Sequence, residues 1–84
     1  MDKEKIKYVL AEEEISIEEQ IPYDLEIKPK VPIRSGQEFF IEDMQIEHEY
    51  LNITAVLVIN EGVKVWLDWT LFKSKKVIIC EDSI

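Results

Sequence analysis

Residues Leu51 to Phe72 read LNITAVLVINEGVKVWLDWTLF, two strongly β-forming runs on either side of Asn60-Glu61-Gly62. In the first run Ile53, Ala55, Leu57 and Ile59 alternate with Asn52, Thr54, Val56 and Val58, which makes one face fully apolar and the other partly polar, as in an interior strand. In the second, Val63, Val65, Leu67, Trp69 and Leu71 alternate with Lys64, Trp66, Asp68, Thr70 and Phe72. Gly62 accepts the positive φ of a tight reversal and Asn60 tolerates a left-handed conformation, so the runs are expected to fold back on each other as a hairpin. On a regular strand Trp66 and Trp69 point to opposite faces. A second apolar surface, assigned to Val56, Val58, Trp66 and Phe72, then needs a cover: another sheet, a barrel closure or a helix, or else a partner that uses it as an aromatic patch.

The rest of the 84-residue chain has to close around that hairpin. At this length it is expected to be one domain, residues 1–84, with a modest core that buries roughly 60 to 70% of the unfolded surface. Residues 2–14, DKEKIKYVLAEEE, fit two patterns. Ile6, Val9 and Leu10 make a helical stripe, Ile6, Tyr8 and Leu10 an amphipathic strand, and the Ala, Glu, Lys and Leu content favours the helix. Ser16 and Glu19 have capping-box spacing, and Pro22 keeps any helix they start short. Tyr23, Leu25 and Ile27 alternate with Asp24, Glu26 and Lys28 as a strand would. Pro29 and Pro32 place 29–33 on an edge or in an extended connection, and Arg34-Ser35-Gly36 is a turn. Apolar alternation then changes phase, with Phe39 and Ile41 odd but Met44, Ile46, His48 and Tyr50 even, which calls for a bulge or turn at Glu42-Asp43. A second reversal is expected near Glu49, a last turn at 73–76, a last strand over Val77 to Cys80, and a frayed acidic tail. The fold class is mainly β, α+β if the N-terminal helix forms: a small antiparallel barrel or sandwich of about five strands. This strand rhythm is shared by small SH3-like and OB-like barrels and carries no motif of either.

Charge narrows the partners. The net charge is −8, and residues 1–49 carry fourteen acids against six bases while residues 50–84 balance at four and four. Such a field repels nucleic acid and anionic membranes and speeds association with basic surfaces. The single cysteine, Cys80, excludes an internal disulfide and a CxxC site, and with neither a signal segment nor a membrane-length apolar run a cytoplasmic location is expected.

No reaction centre emerges. His48 is flanked by Glu47 and Glu49, which point away from it on a strand, so the triplet does not converge on a metal. Glu38, Glu42 and Asp43 could approach one another at a bulge, but without the spacing or glycine of a calcium loop. The serines fall in turns or at the end of the chain, Cys80 ends a strand, and only Gly36 and Gly62 are available where a phosphate loop needs several glycines. Aromatics interleaved with lysines, Trp66 to Lys76, suit single-stranded nucleic acid, against the sign of the net charge. The expectation is a non-enzymatic acidic protein-binding module without cofactor or metal, such as a small regulator or inhibitor of the viral or mobile-element kind that docks on a basic or nucleic-acid-binding surface of a larger protein. Its contact residues are expected at Glu13, Glu14, Glu18 and Glu19 and at Trp66 and Phe72. The alternative is an assembly subunit that forms homo-oligomers through an apolar β face.

Overall fold

The computed structural model describes residues 5–47 and 52–83, so His48 and the reversal expected near Glu49 lie outside the described residues. Among the described residues, seven strands β1 (Lys5–Ala11), β2 (Ile21–Pro22), β3 (Glu38–Phe40), β4 (Asp43–Glu47), β5 (Asn52–Asn60), β6 (Val63–Asp68) and β7 (Val77–Ser83) are joined by a 3-10 turn, Ile17–Glu19, and one short helix, α1 (Trp69–Lys73). They form two antiparallel sheets, three-stranded β3-β1-β7 and four-stranded β2-β6-β5-β4. The mainly β expectation holds; a closed barrel does not form, and helix is minimal. The core lies between the sheets, Val9, Ala11 and Val77 from one meeting Val56, Val58, Val65 and Leu67 from the other.

The hairpin pairs Asn60 with Val63, Val58 with Val65 and Val56 with Leu67. Glu61 (φ 50°) and Gly62 (φ 78°) are its central residues, and two successive positive φ values are the mark of a type I′ turn, whose twist matches that of the strands. Glu61 rather than Asn60 therefore takes the left-handed conformation. A two-residue loop matches even residues of β5 to odd residues of β6. Val56 and Val58 thus face the core beside Val65 and Leu67, whereas Trp66 lies opposite Leu57 on the outer face. This corrects the grouping of Val56 and Val58 with Trp66. Trp69 has already left the strand to begin α1, and Phe72 on that helix packs against the core.

Residues 5–11 are a strand, not a helix. Helix preference among ordinary residues spans only about 0.7 kcal/mol each, while β1 is the centre of its sheet and is bonded on both sides, Val9 opposite Phe39 and Ile79. Val9 and Ala11 are buried inward, which leaves Ile6, Tyr8 and Leu10 on the outer face. The last strand continues to Ser83, because Asp82 and Ser83 pair with Ile6 and Lys5; the tail expected to fray is part of the sheet.

The phase change assigned to Glu42-Asp43 is a change of sheet rather than a bulge. β3 ends at Phe40 beside β1, and two residues later the Glu42 N–H donates to the Leu57 carbonyl (2.8 Å), where β4 joins β5. A register shift does occur in β4, further along, between Gln45 and Ile46. The long connection from β1 to β3 is pinned at three points. Ile15 and Ile33, both fully buried, exchange backbone hydrogen bonds of 2.8 and 2.9 Å. The Glu19 carboxylate accepts from the Ser16 N–H (3.0 Å), the reciprocal contact expected of the capping-box pair, over a single 3-10 turn. Buried Asn60 donates from Nδ2 to Gln20 Oε1 and to the Val31 carbonyl, both at 2.9 Å. The strand expected from Tyr23 to Lys28 is absent: β2 is Ile21–Pro22 alone, its contact with β6 ends where the Tyr23 N–H donates to the Lys64 carbonyl (3.0 Å), and then the Asp24 carboxylate accepts from the Glu26 N–H and the Asp24 carbonyl from the Ile27 N–H, both at 2.9 Å. An aspartate that bonds the backbone two residues on offers the chain a turn in place of a strand, and alternation alone does not reveal it.

Candidate protein-binding surfaces

Opposite neighbours in a sheet share a face, so the register lays out the outer side of the three-stranded sheet. Tyr8 sits at its centre between Phe40 of β3 and Cys80 of β7. One step toward the start of β1, Ile6 is opposite Asp82; one step toward its end, Leu10 is opposite Glu38 and Ile78. Ile6, Tyr8, Phe39 and Phe40 together with Glu38 and Asp82 line an open groove of about 360 Å³. Phe40, on the edge strand β3, is 70% exposed and Ile6, near the start of β1, 37% exposed, large apolar groups left to water on the outer sheet face.

Negative charge stands at two corners of this groove. Asp82 and Glu38 are diagonal neighbours of Tyr8 on opposite sides and at opposite ends. With strands about 4.8 Å apart and a rise of about 3.4 Å per residue, they lie roughly 16 Å from each other. Partial desolvation raises the Tyr8 phenol above its ordinary value, and Asp82, the neighbouring Cys80 thiol and Glu38 raise it further. The other acid at this end, Glu81, pairs with Lys7 across the strands (3.5 Å).

The outer side of the four-stranded sheet is arranged differently. Ile21, Trp66, Leu57 and Asp43 form one row across β2, β6, β5 and β4. The Tyr23 ring lies against Trp66, centroids 6.4 Å apart and tilted by 38°, and Lys64 Nζ stands 5.5 Å from the Tyr23 ring centre. Trp66 is half-buried and Leu57 only 4% exposed. The loop that supplies this cover carries its own exposed apolar groups, Leu25 at 77% the most open.

The residues expected to contact a partner are dispersed. Glu13, Glu14 and Glu18 are exposed on the connection that follows β1. Glu19 is engaged within the chain: Lys76 Nζ donates to it at 2.8 Å, and that bond together with the Ser16 N–H holds its carboxyl below the usual carboxylate range while raising Lys76. Trp66 is on the outer face of the four-stranded sheet and Phe72 packs against the core, so the two do not share a surface. Sequence reasoning did not single out Ile6, Tyr8, Phe40 or Asp82. Two signals for them were present: the strand-like alternation of Ile6, Tyr8 and Leu10, and the Phe39-Phe40 pair, which on any strand sends one ring to each face.

Among the described residues no group of three or more His, Cys, Asp or Glu is placed to hold a metal ion, and Glu38, Glu42 and Asp43 do not form one. No helix among them is long and apolar enough to cross a membrane. No protein-family model, curated protein or solved structure matches the chain.

Proposed function

We propose that this chain is a non-enzymatic protein-binding module whose docking surface is the outer face of the three-stranded sheet and whose partner presents a basic surface. The observation that carries this reading is the exposed Phe40 beside Tyr8 and Ile6 in a groove flanked by Glu38 and Asp82. An aromatic and aliphatic floor supplies contact area that releases water on binding, and the acidic corners select and steer a cationic partner. The net charge of −8 extends that steering beyond the groove. A small regulator or inhibitor that covers a basic or nucleic-acid-binding surface of a larger protein has this design.

The alternative is self-assembly through an apolar β face, and what favours it is the group of exposed apolar residues near the other sheet, Ile21, Leu25 and Ile59. One experiment separates the two readings. A photoreactive benzoylphenylalanine placed at Phe40, and in a second version at Ile59, is irradiated in the living cell and its adducts are identified by mass. A basic protein captured from position 40 but not from 59 supports the module. Adducts with a second copy of the chain from position 59 support assembly, and silence at position 40 overturns the docking surface proposed here.

A further inference from the structure

The placement of the two acids limits what can occupy the groove, and this step rests on the protein-binding reading above. Glu38 and Asp82 are not a pair that clamps one cation: they are separated by the width of three strands and by four residues along β1, from Ile6 to Leu10. Between them the floor is aromatic and aliphatic, Tyr8 at the centre with Phe40 to one side and Ile6 toward the Asp82 corner. A ligand complementary to this surface is apolar in the middle and cationic at both ends.

We propose that the groove binds an extended segment of a partner protein that lies diagonally across β3, β1 and β7, with an apolar side chain over Tyr8 and a basic residue about two positions to either side of it, the two basic residues thus about four positions apart. The spacing follows from the chain itself. An extended peptide advances about 3.3 Å per residue, so four residues cover roughly 13 Å, and the reach of an arginine or lysine side chain makes up the remainder of the roughly 16 Å between the corners. Arginine suits both ends, because its planar guanidinium pairs with a carboxylate and stacks on an aromatic ring in one pose. At the Glu38 corner the exposed Phe40 ring, two residues along the same strand and on the same face, is in place for that stacking. The raised Tyr8 phenol is consistent with a site where negative charge from both corners meets over a partly dry floor. Duplex nucleic acid does not fit this description, since its backbone charge has the same sign as the corners.

The test uses blocked pentapeptides with leucine in the middle and arginine at both ends, at one end, or replaced at both ends by citrulline, which keeps the shape and removes the charge. Binding is followed by amide chemical shifts of the whole chain. The expected result is that the two-arginine peptide shifts residues of β1, β3 and β7, that either single-arginine peptide binds several-fold more weakly, and that the citrulline peptide binds at least tenfold more weakly. Glu38→Gln and Asp82→Asn, both at exposed positions, should each reduce the two-arginine peptide to the level of a single-arginine one, with unchanged melts confirming folded protein. Equal binding of the citrulline peptide, shifts confined to the Glu13 to Glu18 connection, or no shift at millimolar peptide would each overturn the diagonal segment. If the peptides fail while photoreactive position 40 still captures a basic protein, only this inference falls; if both fail, the docking surface falls with it.

Discussion

The two sheets carry outer faces of similar apolar character, and the chain treats them differently. On the four-stranded sheet it flanks the aromatic residue with its own side chains: Ile21 pairs beside Trp66, Tyr23 lies against the ring, and Leu57 opposite it is 4% exposed. On the three-stranded sheet nothing among the described residues does the same for Phe40, which stands 70% exposed in the groove that Glu38 and Asp82 flank. Burying an aromatic side chain contributes about 1.5 to 3 kcal/mol, so in a domain with a modest core an uncovered one is a sizeable contribution forgone. On the proposed function, the first face serves the fold and the second serves a partner.

If the four-stranded face belongs to the fold, Leu57→Ala should give the largest loss, about 2 to 5 kcal/mol in a denaturant melt; a loss under 0.5 kcal/mol would mean that the cover is not holding. Trp66→Ala, which removes a half-buried ring, should cost about 2 to 3 kcal/mol, below the range for a fully buried tryptophan. Asn60→Ala tests how the cover is tethered. It leaves Gln20 Oε1 without its Asn60 donor and strips one donor from the Val31 carbonyl, with an expected loss of about 1 to 2 kcal/mol. Trp66 fluorescence should also move to the red before global unfolding, as the loop over it loosens.

Smaller effects sharpen the other side of the comparison. The lowered Glu19 pKa stabilises the fold above the unfolded carboxylate value, about 4.3, and that contribution is lost as pH falls through the folded value. The raised Lys76 pKa stabilises below the unfolded value, about 10.4, and its contribution is lost as pH rises through the folded one. About a third of each side chain is exposed, so solvent screening keeps the contribution of the pair small. Glu19→Gln should flatten the acid limb of the stability profile, measured from pH 3 to 7, with little change near neutral pH. Last, Phe40→Ala should change the melt by less than about 0.5 kcal/mol, as exposed positions do; a loss near that of Trp66→Ala would show that the three-stranded face is structural too.

Several features are readable from sequence because their signals are local: the β5–β6 hairpin with glycine in its turn, the capping-box pair Ser16 and Glu19, and the break in alternation assigned to Glu42-Asp43. Errors came where meaning depended on distant residues. Helix propensity in 2–14 lost to two flanking ladders, from β3 and β7, that no short window contains. Alternation from Tyr23 to Lys28 is the same whether the chain is extended or turns on an aspartate. Assigning Trp66 to a face required the number of residues in the turn, since one more or fewer reverses the match of odd and even. The groove was least visible, because its lining comes from three strands whose mutual register no local pattern encodes.

That assembly also sets an order in time. Ile6 and Asp82 face each other across β1 and β7 although 76 positions separate them in the chain. A ribosome delivers β1 early and β7 last among the described strands, and closing so long a loop is the slow kind of step in the folding of β proteins. During synthesis the β5–β6 hairpin can form while β1 still waits for its second neighbour. A chain cut short before Val77 would retain the aromatic Tyr8 and Phe40 but not the Asp82 corner or the strand that aligns them. On the proposed docking role, the complete groove would be offered to a partner only by molecules in which β1 and β7 have met.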